Sequence, residues 1–328
     1  MADFPDEHSG GGIGLVLGAG GTVGGAFHAG VLAALEERTG WDPRRATVVV
    51  GTSAGSIAGT GLRAGLSTAD ALAQALGKPM SPAGTRLLAS LRYAPSRPDD
   101  DIARRRRPPS EVAATLGRAV TRPFAARPTA VLAGLLPDGA IGTDMISGGV
   151  EGVTGGRWPE DPLWVCAVRQ RDGRRIVFGR DARPTLSAAV AASCAIPAYF
   201  RPVEVDGEAY IDGGAHSPTN ADVLAGLGLD LVIVVSPMSI AGRGLRLAPD
   251  QPPRRWARAR LDAEARRIRR RGTPVIALQP TAADAAVMAG NALDPNKRAP
   301  VARQAHASTL RRLDRPDTVE RLRTLVPS

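Results

Sequence analysis

Gly51-Thr52-Ser53-Ala54-Gly55 is the stretch of this chain most suited to covalent chemistry. A serine with glycine on both sides at a spacing of two fits a strand-to-helix turn too sharp for side chains at the flanking positions Gly51 and Gly55. Such a turn holds the serine oxygen at a helix N-terminus, where the helix dipole favours a developing negative charge. With a base to take its proton and donors to hold an oxyanion, that oxygen attacks an acyl carbon. The residues around the pentapeptide agree with this reading. Thr47 to Val50 are β-branched and read as a strand, and the small residues from Ser56 to Ala64 read as a helix. In a chain with 38 glycines the pentapeptide alone would weigh little, and the strand and helix around it supply the weight.

A base for Ser53 has to come from elsewhere in the chain. Four histidines are available, His8, His28, His216 and His306. His8 lies in the polar N-terminal stretch, His28 falls on the first helix as a packed core residue, and His306 stands where a Ser, Asp, His order would place a triad histidine. Tyr210-Ile211-Asp212-Gly213-Gly214 offers a different solution. An aspartate ending a strand beside flexible glycine backbone reaches a serine hydroxyl directly and acts as base without an imidazole between them. A lone Asp-Gly pair would read as nothing more than a turn.

A second glycine cluster, Gly18-Ala19-Gly20-Gly21-Thr22-Val23-Gly24, admits two readings. It fits the phosphate-cradling turn of dinucleotide-binding oxidoreductases, but that fold needs an acidic residue at the end of the second strand, and here the strand ends in Val50-Gly51-Thr52. A short-chain reductase also needs Tyr followed by Lys four residues on, whereas Tyr93, Tyr199 and Tyr210 are followed there by Arg97, Val203 and Gly214. The other reading makes the loop an oxyanion hole, its backbone N–H groups exposed at a glycine turn before a helix.

The elements that would carry these residues alternate in type. Ile13 to Leu17 is a buried strand, followed by a glycine loop over Gly18 to Gly25 and a helix from Ala26 to Arg38. Leu163 to Arg169 and Arg175 to Gly179 form a strand pair across Arg171-Asp172-Gly173, and a helix runs from Thr185 to Ser193. Alternating strands lie over Val203 to Ile211, a continuous apolar strand over Leu231 to Val235, a basic helix over Arg254 to Arg271, and a last strand over Pro274 to Leu278. This order predicts an α/β fold with a mostly parallel central sheet covered by helices on both faces. Residues 78–139, rich in proline and broken by Arg104 to Arg107, are expected to form a helical cap insertion, with an exposed loop near Ser96 to Ser110.

Composition narrows the function classes. At 328 residues and 43% apolar content the chain suits one soluble domain over 13–328 behind a disordered N-terminal tail, 1–12. No apolar run approaches the ~20 residues of a membrane span, and the opening has no signal-peptide pattern. Cys166 and Cys194 lack metal or disulfide spacing, which predicts a reducing, cytoplasmic setting. The formal charge of +10 comes almost wholly from arginine, since Lys78 and Lys297 are the only lysines. That bias is compositional, yet the arginines cluster at Arg104 to Arg107 and between Arg254 and Arg271, where they would attract anionic lipid in peripheral membrane contact. With 4% aromatics and neither zinc nor RNA-binding signatures, nucleic acid is not an expected partner.

Taken in order, Gly20-Gly21, His28-Ala29-Gly30-Val31-Leu32, Gly51-Thr52-Ser53-Ala54-Gly55, Ala192-Ser193-Cys194-Ala195-Ile196-Pro197 and Asp212-Gly213-Gly214 resemble the patatin-like phospholipase family across about Gly14 to Val235. The resemblance implies a serine acyl-ester hydrolase acting on phospholipid or neutral lipid without metal or organic cofactor. It implies a Ser53-Asp212 dyad, an oxyanion hole at Gly20, Gly21 and Thr22, and support from Gly213 and Gly214. The family's loop usually reads G-G-G-x-[RK]-G; here Thr22 replaces a glycine and Gly24 replaces the cation. That departure motivates an alternative, a catalytically weak lipid- or membrane-surface-binding protein of the same fold, with the dinucleotide-binding oxidoreductase behind it.

Overall fold

Alternation along the strands sorts the interior into two layers. In a computed structural model, which describes residues 11–89, 138–242 and 251–315, β1 (Ile13–Leu17), β2 (Val48–Thr52), β3 (Leu163–Arg169), β4 (Arg175–Phe178), β5 (Val203–Val205), β6 (Glu208–Asp212), β7 (Leu231–Val235) and β8 (Val275–Leu278) form one sheet. Leu15, Leu17, Val49, Val165, Ile233 and Val235 share one apolar cluster, while Val16, Val50, Trp164, Cys166, Val232 and Val234 share another. Successive side chains point to opposite faces, and both faces here are apolar because both are covered.

The strand order is β5-β6-β3-β2-β1-β7-β8, with β4 also paired to β3. The four pairings among β3, β2, β1, β7 and β8 are parallel, and those of β3 with β4 and β6 and of β5 with β6 are antiparallel. β1 therefore stands at the point where the order turns back, with β2 on one side and β7 on the other. Ligand crevices in open α/β sheets form outside the carboxyl ends of the strands at such a point.

Helix α1 (Gly21–Thr39) packs on α2 (Ala54–Arg63), α3 (Thr68–Leu76) and a late helix, α9 (Arg298–Leu313), so it is apolar around most of its circumference. Between these in sequence come α4 (Pro82–Ala89), α5 (Asp144–Thr154), α6 (Leu186–Ser193), α7 (Gln251–Arg269) and α8 (Ala282–Met288). The opposite face is covered by α7, through Leu261, Ala265 and Ile268, and by the turn at residues 221–224. At the β8 edge two arginines hold outward carbonyls: Arg269 donates to Val275 O at 2.8 Å and Arg312 to Ala277 O at 2.9 Å.

Three expectations are revised. The first helix begins at Gly21, five residues earlier than its apolar pattern suggests, because Gly21 and Gly24 let its first turn close on Ala292 and Pro237. Packing of that turn outweighs the low helix propensity of glycine. Gly12, assigned to the tail, donates its N–H to Asp230 Oδ2 at 2.7 Å. Arg254, assigned to a lipid-facing stretch, is buried and donates to Pro237 O and Ser239 O. Of the expected cap, residues 78–89 contain α4; residues 90–137, with Arg104 to Arg107 and the loop near Ser96 to Ser110, lie outside the described residues.

Candidate active site

β2 delivers Ser53 to the carboxyl edge of the sheet, and α2 starts at the next residue. The reversal is tight enough to place Ser53 at φ 53°, ψ −123°, a left-handed conformation that costs a non-glycine residue about 1–3 kcal/mol. Both flanking glycines are required by contact. A Cβ on Gly55 would lie 1.9 Å from Leu17 O, and one on Gly51 would lie 2.5 Å from Ser56 Cα. In each case the obstacle is backbone, so no rotamer change relieves it.

Asp212 is the last residue of β6, which runs antiparallel to β3 with Asp212 opposite Ala167. It is buried at 5% exposure and its carboxyl interacts with the Ser53 side chain, while its Oδ1 accepts the Gly214 N–H at 2.7 Å. Burial raises its pKa, the Ser53 side chain and the Gly214 N–H pull part of the way back, and the net value is about 6 against an ordinary 3.8. The carboxylate that caps the Asp-Gly turn is the one that interacts with the Ser53 side chain. Gly213 is held by close approach, because a Cβ there would lie 2.2 Å from Cys166 O.

The β1 loop closes the site from the other side. A Cβ on Gly214 would lie 3.5 Å from Ala19 Cβ, which places the loop against the aspartate's turn. Gly18, Ala19 and Val23 donate their N–H groups to Val235 O, Pro218 O and Ala292 O, and Gly24 donates to Gly20 O. Those four amides are occupied by protein carbonyls. The N–H groups of Gly21 and Thr22 open α1 and have no intrahelical acceptor. Among the described residues none is found for these two or for Gly20. Gly21 takes the positive φ of 61°, whereas Thr22 is absent from the positive-φ residues, so a β-branched side chain sits there without backbone strain.

Two of the described histidines, His28 and His306, are held by partners outside this constellation. His28 is fully buried and bonds Gly18 O at 2.8 Å through Nε2; burial holds its pKa down at about 4. It anchors the β1 loop. His306 bonds Glu37 in the last turns of α1, four turns from the glycine loop at the start of that helix. His216 is also depressed to about 4, by burial and by Arg175.

Several residues around the pair carry no signal in the sequence that separates them from ordinary polar positions. Asn220 donates Nδ2–H to Thr52 Oγ1 at 3.1 Å, Gly213 O at 3.3 Å and Ser217 O at 2.7 Å, tying the elbow strand to the aspartate's turn. Beneath it Arg175 pairs with Asp222 at 2.5 Å. Burial raises Asp222, and the bonds and charge of Arg175 more than reverse this, so its carboxyl is held below the usual range. Glu264 of α7 accepts from Thr219 Oγ1 at 2.6 Å and from Ala221 N–H at 2.9 Å. Cys194, whose thiol burial pushes up, shares a hydrogen bond with the Ser53 side chain.

The family model described as Patatin-like phospholipase matches residues 15–225. No curated protein matches the chain. Among solved structures, the crystal structure of VipD from Legionella pneumophila is 15% identical, aligned over 93% of this chain and 67% of that one at a TM-score of 0.40.

Proposed function

The chain belongs to the patatin-like phospholipase family, and on that premise we propose that it is a carboxylic ester hydrolase of lipids with Ser53 as nucleophile and Asp212 as its base. The observation that carries this reading is a buried aspartate, its pKa raised to about 6, whose carboxyl interacts with the side chain of a serine in a strained elbow. At that value the carboxylate is ionised at neutral pH and is still basic enough to take a proton in the transition state.

As Ser53 Oγ bonds to the ester carbonyl carbon, its proton passes to Asp212, and the carbonyl oxygen becomes an anion held by the N–H groups of Gly20, Gly21 and Thr22. Collapse breaks the bond to the leaving alcohol, which takes the proton from Asp212. Water then attacks the acyl-serine and gives its proton to Asp212. The carboxylic acid leaves, and the proton returns to Ser53. The substrate is an acyl ester of phospholipid, lysophospholipid or neutral lipid.

Thr22 keeps its N–H on relaxed backbone, which favours an active hydrolase over a weakly catalytic lipid-binding protein. Hydrolysis of p-nitrophenyl butyrate tests the dyad. Ser53→Ala and Asp212→Asn are both expected to abolish turnover, with His306→Ala indistinguishable from wild type. An active Asp212→Asn protein, or a folded but dead His306→Ala protein, defeats the dyad.

Peripheral contact with anionic membrane completes the reading, through Arg104 to Arg107 or the outward arginines of α7 and the turn after it, Arg255, Arg266, Arg270 and Arg271. No helix among the described residues is long and apolar enough to cross a membrane. Co-sedimentation with phosphatidylserine vesicles should weaken with salt. Binding that is unchanged after neutralising both sets removes this role.

A further inference from the structure

One short segment touches the backbone of both reacting residues. Ser193 ends α6, and its hydroxyl is wholly buried. Its Oγ accepts the Ser53 N–H at 2.9 Å and donates to Cys166 O at 2.7 Å. Because a carbonyl can only accept, the single hydroxyl proton points to Cys166 and a lone pair is left for the Ser53 amide. Two residues on, Ala195 O accepts the Asp212 N–H at 2.9 Å. Between them, Cys194 lies against Ser56 Oγ at 3.8 Å.

We propose that Ser193-Cys194-Ala195 is a bracket that sets the distance between Ser53 and Asp212, with the Ser193 hydroxyl as a positioning residue for the reaction. The inference rests on the dyad reading above. Its physical basis is the elbow itself. The Ser53 amide lies one residue past Thr52, where the β2 ladder ends, and needs an acceptor from elsewhere. The carbonyl of Cys166, on the neighbouring strand opposite Thr52, needs a donor. A hydroxyl at 193 supplies both and fixes the strained turn to β3. Ala195, rigidly joined to it through one residue, fixes the end of β6. No other segment among the described residues bonds the main-chain N–H of both.

The test uses the full-length protein and a fluorophosphonate, which bonds through phosphorus to Ser53 Oγ as fluoride leaves and Asp212 takes the proton. Labelling is followed by intact mass, so the rate is counted per active site and is insensitive to loss of folded protein. Ser193→Ala is expected to label about 10- to 100-fold more slowly and to lower kcat for p-nitrophenyl butyrate with KM within about twofold. Its acid limb should move to higher pH, because a loosened Ser53 no longer holds the carboxylate down. Ser193→Thr, which keeps the hydroxyl, should recover most of the rate. If Ser193→Ala does not fold, Ser193→Cys takes its place, a thiol being a poor acceptor for the amide. A per-site rate within twofold of wild type and an unmoved acid limb in that variant overturn the bracket. Ser53→Ala is run alongside. Silence there with unaffected Ser193 variants rejects the bracket alone, whereas labelling of Ser53→Ala at the wild-type rate rejects the dyad.

Discussion

The turns after β1 and β2 lie side by side, both glycine-rich and both at the start of a helix, yet they store their chemistry in different parts of the chain. The β2 turn holds its reacting atom on a side chain, pushed into left-handed backbone between two glycines that cannot be anything else. The β1 turn offers only main-chain N–H groups, and it puts its positive φ on Gly21, where that conformation has no steric penalty. A site built on a side chain fails when that side chain is replaced. A site built on backbone tolerates new side chains until one displaces the chain.

The largest expected effect lies on the side-chain half. Asp212→Asn should cost roughly 10⁴-fold in kcat/KM, on the scale of removing one member of a catalytic unit. The same change should stabilise the protein at pH 8, because the folded carboxyl has a pKa raised by burial. Such a group favours folding when protonated; that contribution is whole below about pH 4 and is lost as pH rises through about 6. Thermal melts of wild type and Asp212→Asn should therefore diverge between pH 4 and 6, with the variant ahead by up to about 3 kcal/mol above that range. Parallel melting curves would mean that the carboxyl is not strained by burial.

On the backbone half, Gly20→Ala places a methyl 2.7 Å from Gly24 Cα and 3.0 Å from Pro237 Cβ, so the loop must shift. A loss of roughly 10²-fold in kcat with KM little changed is expected, comparable with misplacing one oxyanion donor. Unchanged turnover would take Gly20 out of the hole. A milder effect concerns pH. The acid limb of kcat/KM in wild type should have its midpoint at about 6, where Asp212 loses its proton. A limb near 4 would point to a base in a more polar setting.

The smallest effects should come from the two departures from the family loop. Thr22→Gly changes a side chain on relaxed backbone, and Gly24→Ala places a methyl at an ordinary 3.4 Å from Pro237. Both are expected to stay within about threefold of wild-type turnover. A tenfold gain in Thr22→Gly would show that the threonine restrains this enzyme.

Much of this contrast is legible in the sequence. One pentapeptide carries the elbow, its glycines and the proposed nucleophile, and a strand ending in Asp-Gly-Gly marks the proposed base, because steric necessity leaves a short local pattern. Ser193 leaves none, since a hydroxyl that bridges two strands and a hydroxyl that faces water look alike in a run of small residues. The helix α9 is hidden for a related reason. Val301 and Leu313 at its two ends are its only large buried apolar residues; between them it meets α1 through Ala302 and Ala305, and Gly30 admits it so closely that a Cβ there would lie 2.4 Å from Ala302 O. Hydropathy periodicity detects large apolar stripes, and this contact is made of small residues and backbone. The arginines mislead in the opposite direction, since Arg254 looks like surface charge and is a buried clasp on Pro237 and Ser239.

The arginines at the β8 edge have a consequence for life at high concentration. An unpaired strand margin invites a second chain to add on, the first step towards fibrous aggregates. Here the outward carbonyls of Val275 and Ala277 are already taken by Arg269 and Arg312. An incoming strand would have to displace two guanidinium groups and bring its own donors up against their positive charge. A chain whose basic residues are almost all arginine thus supplies its sheet with gatekeepers, and the margin is kept solitary by the same residues that raise the isoelectric point.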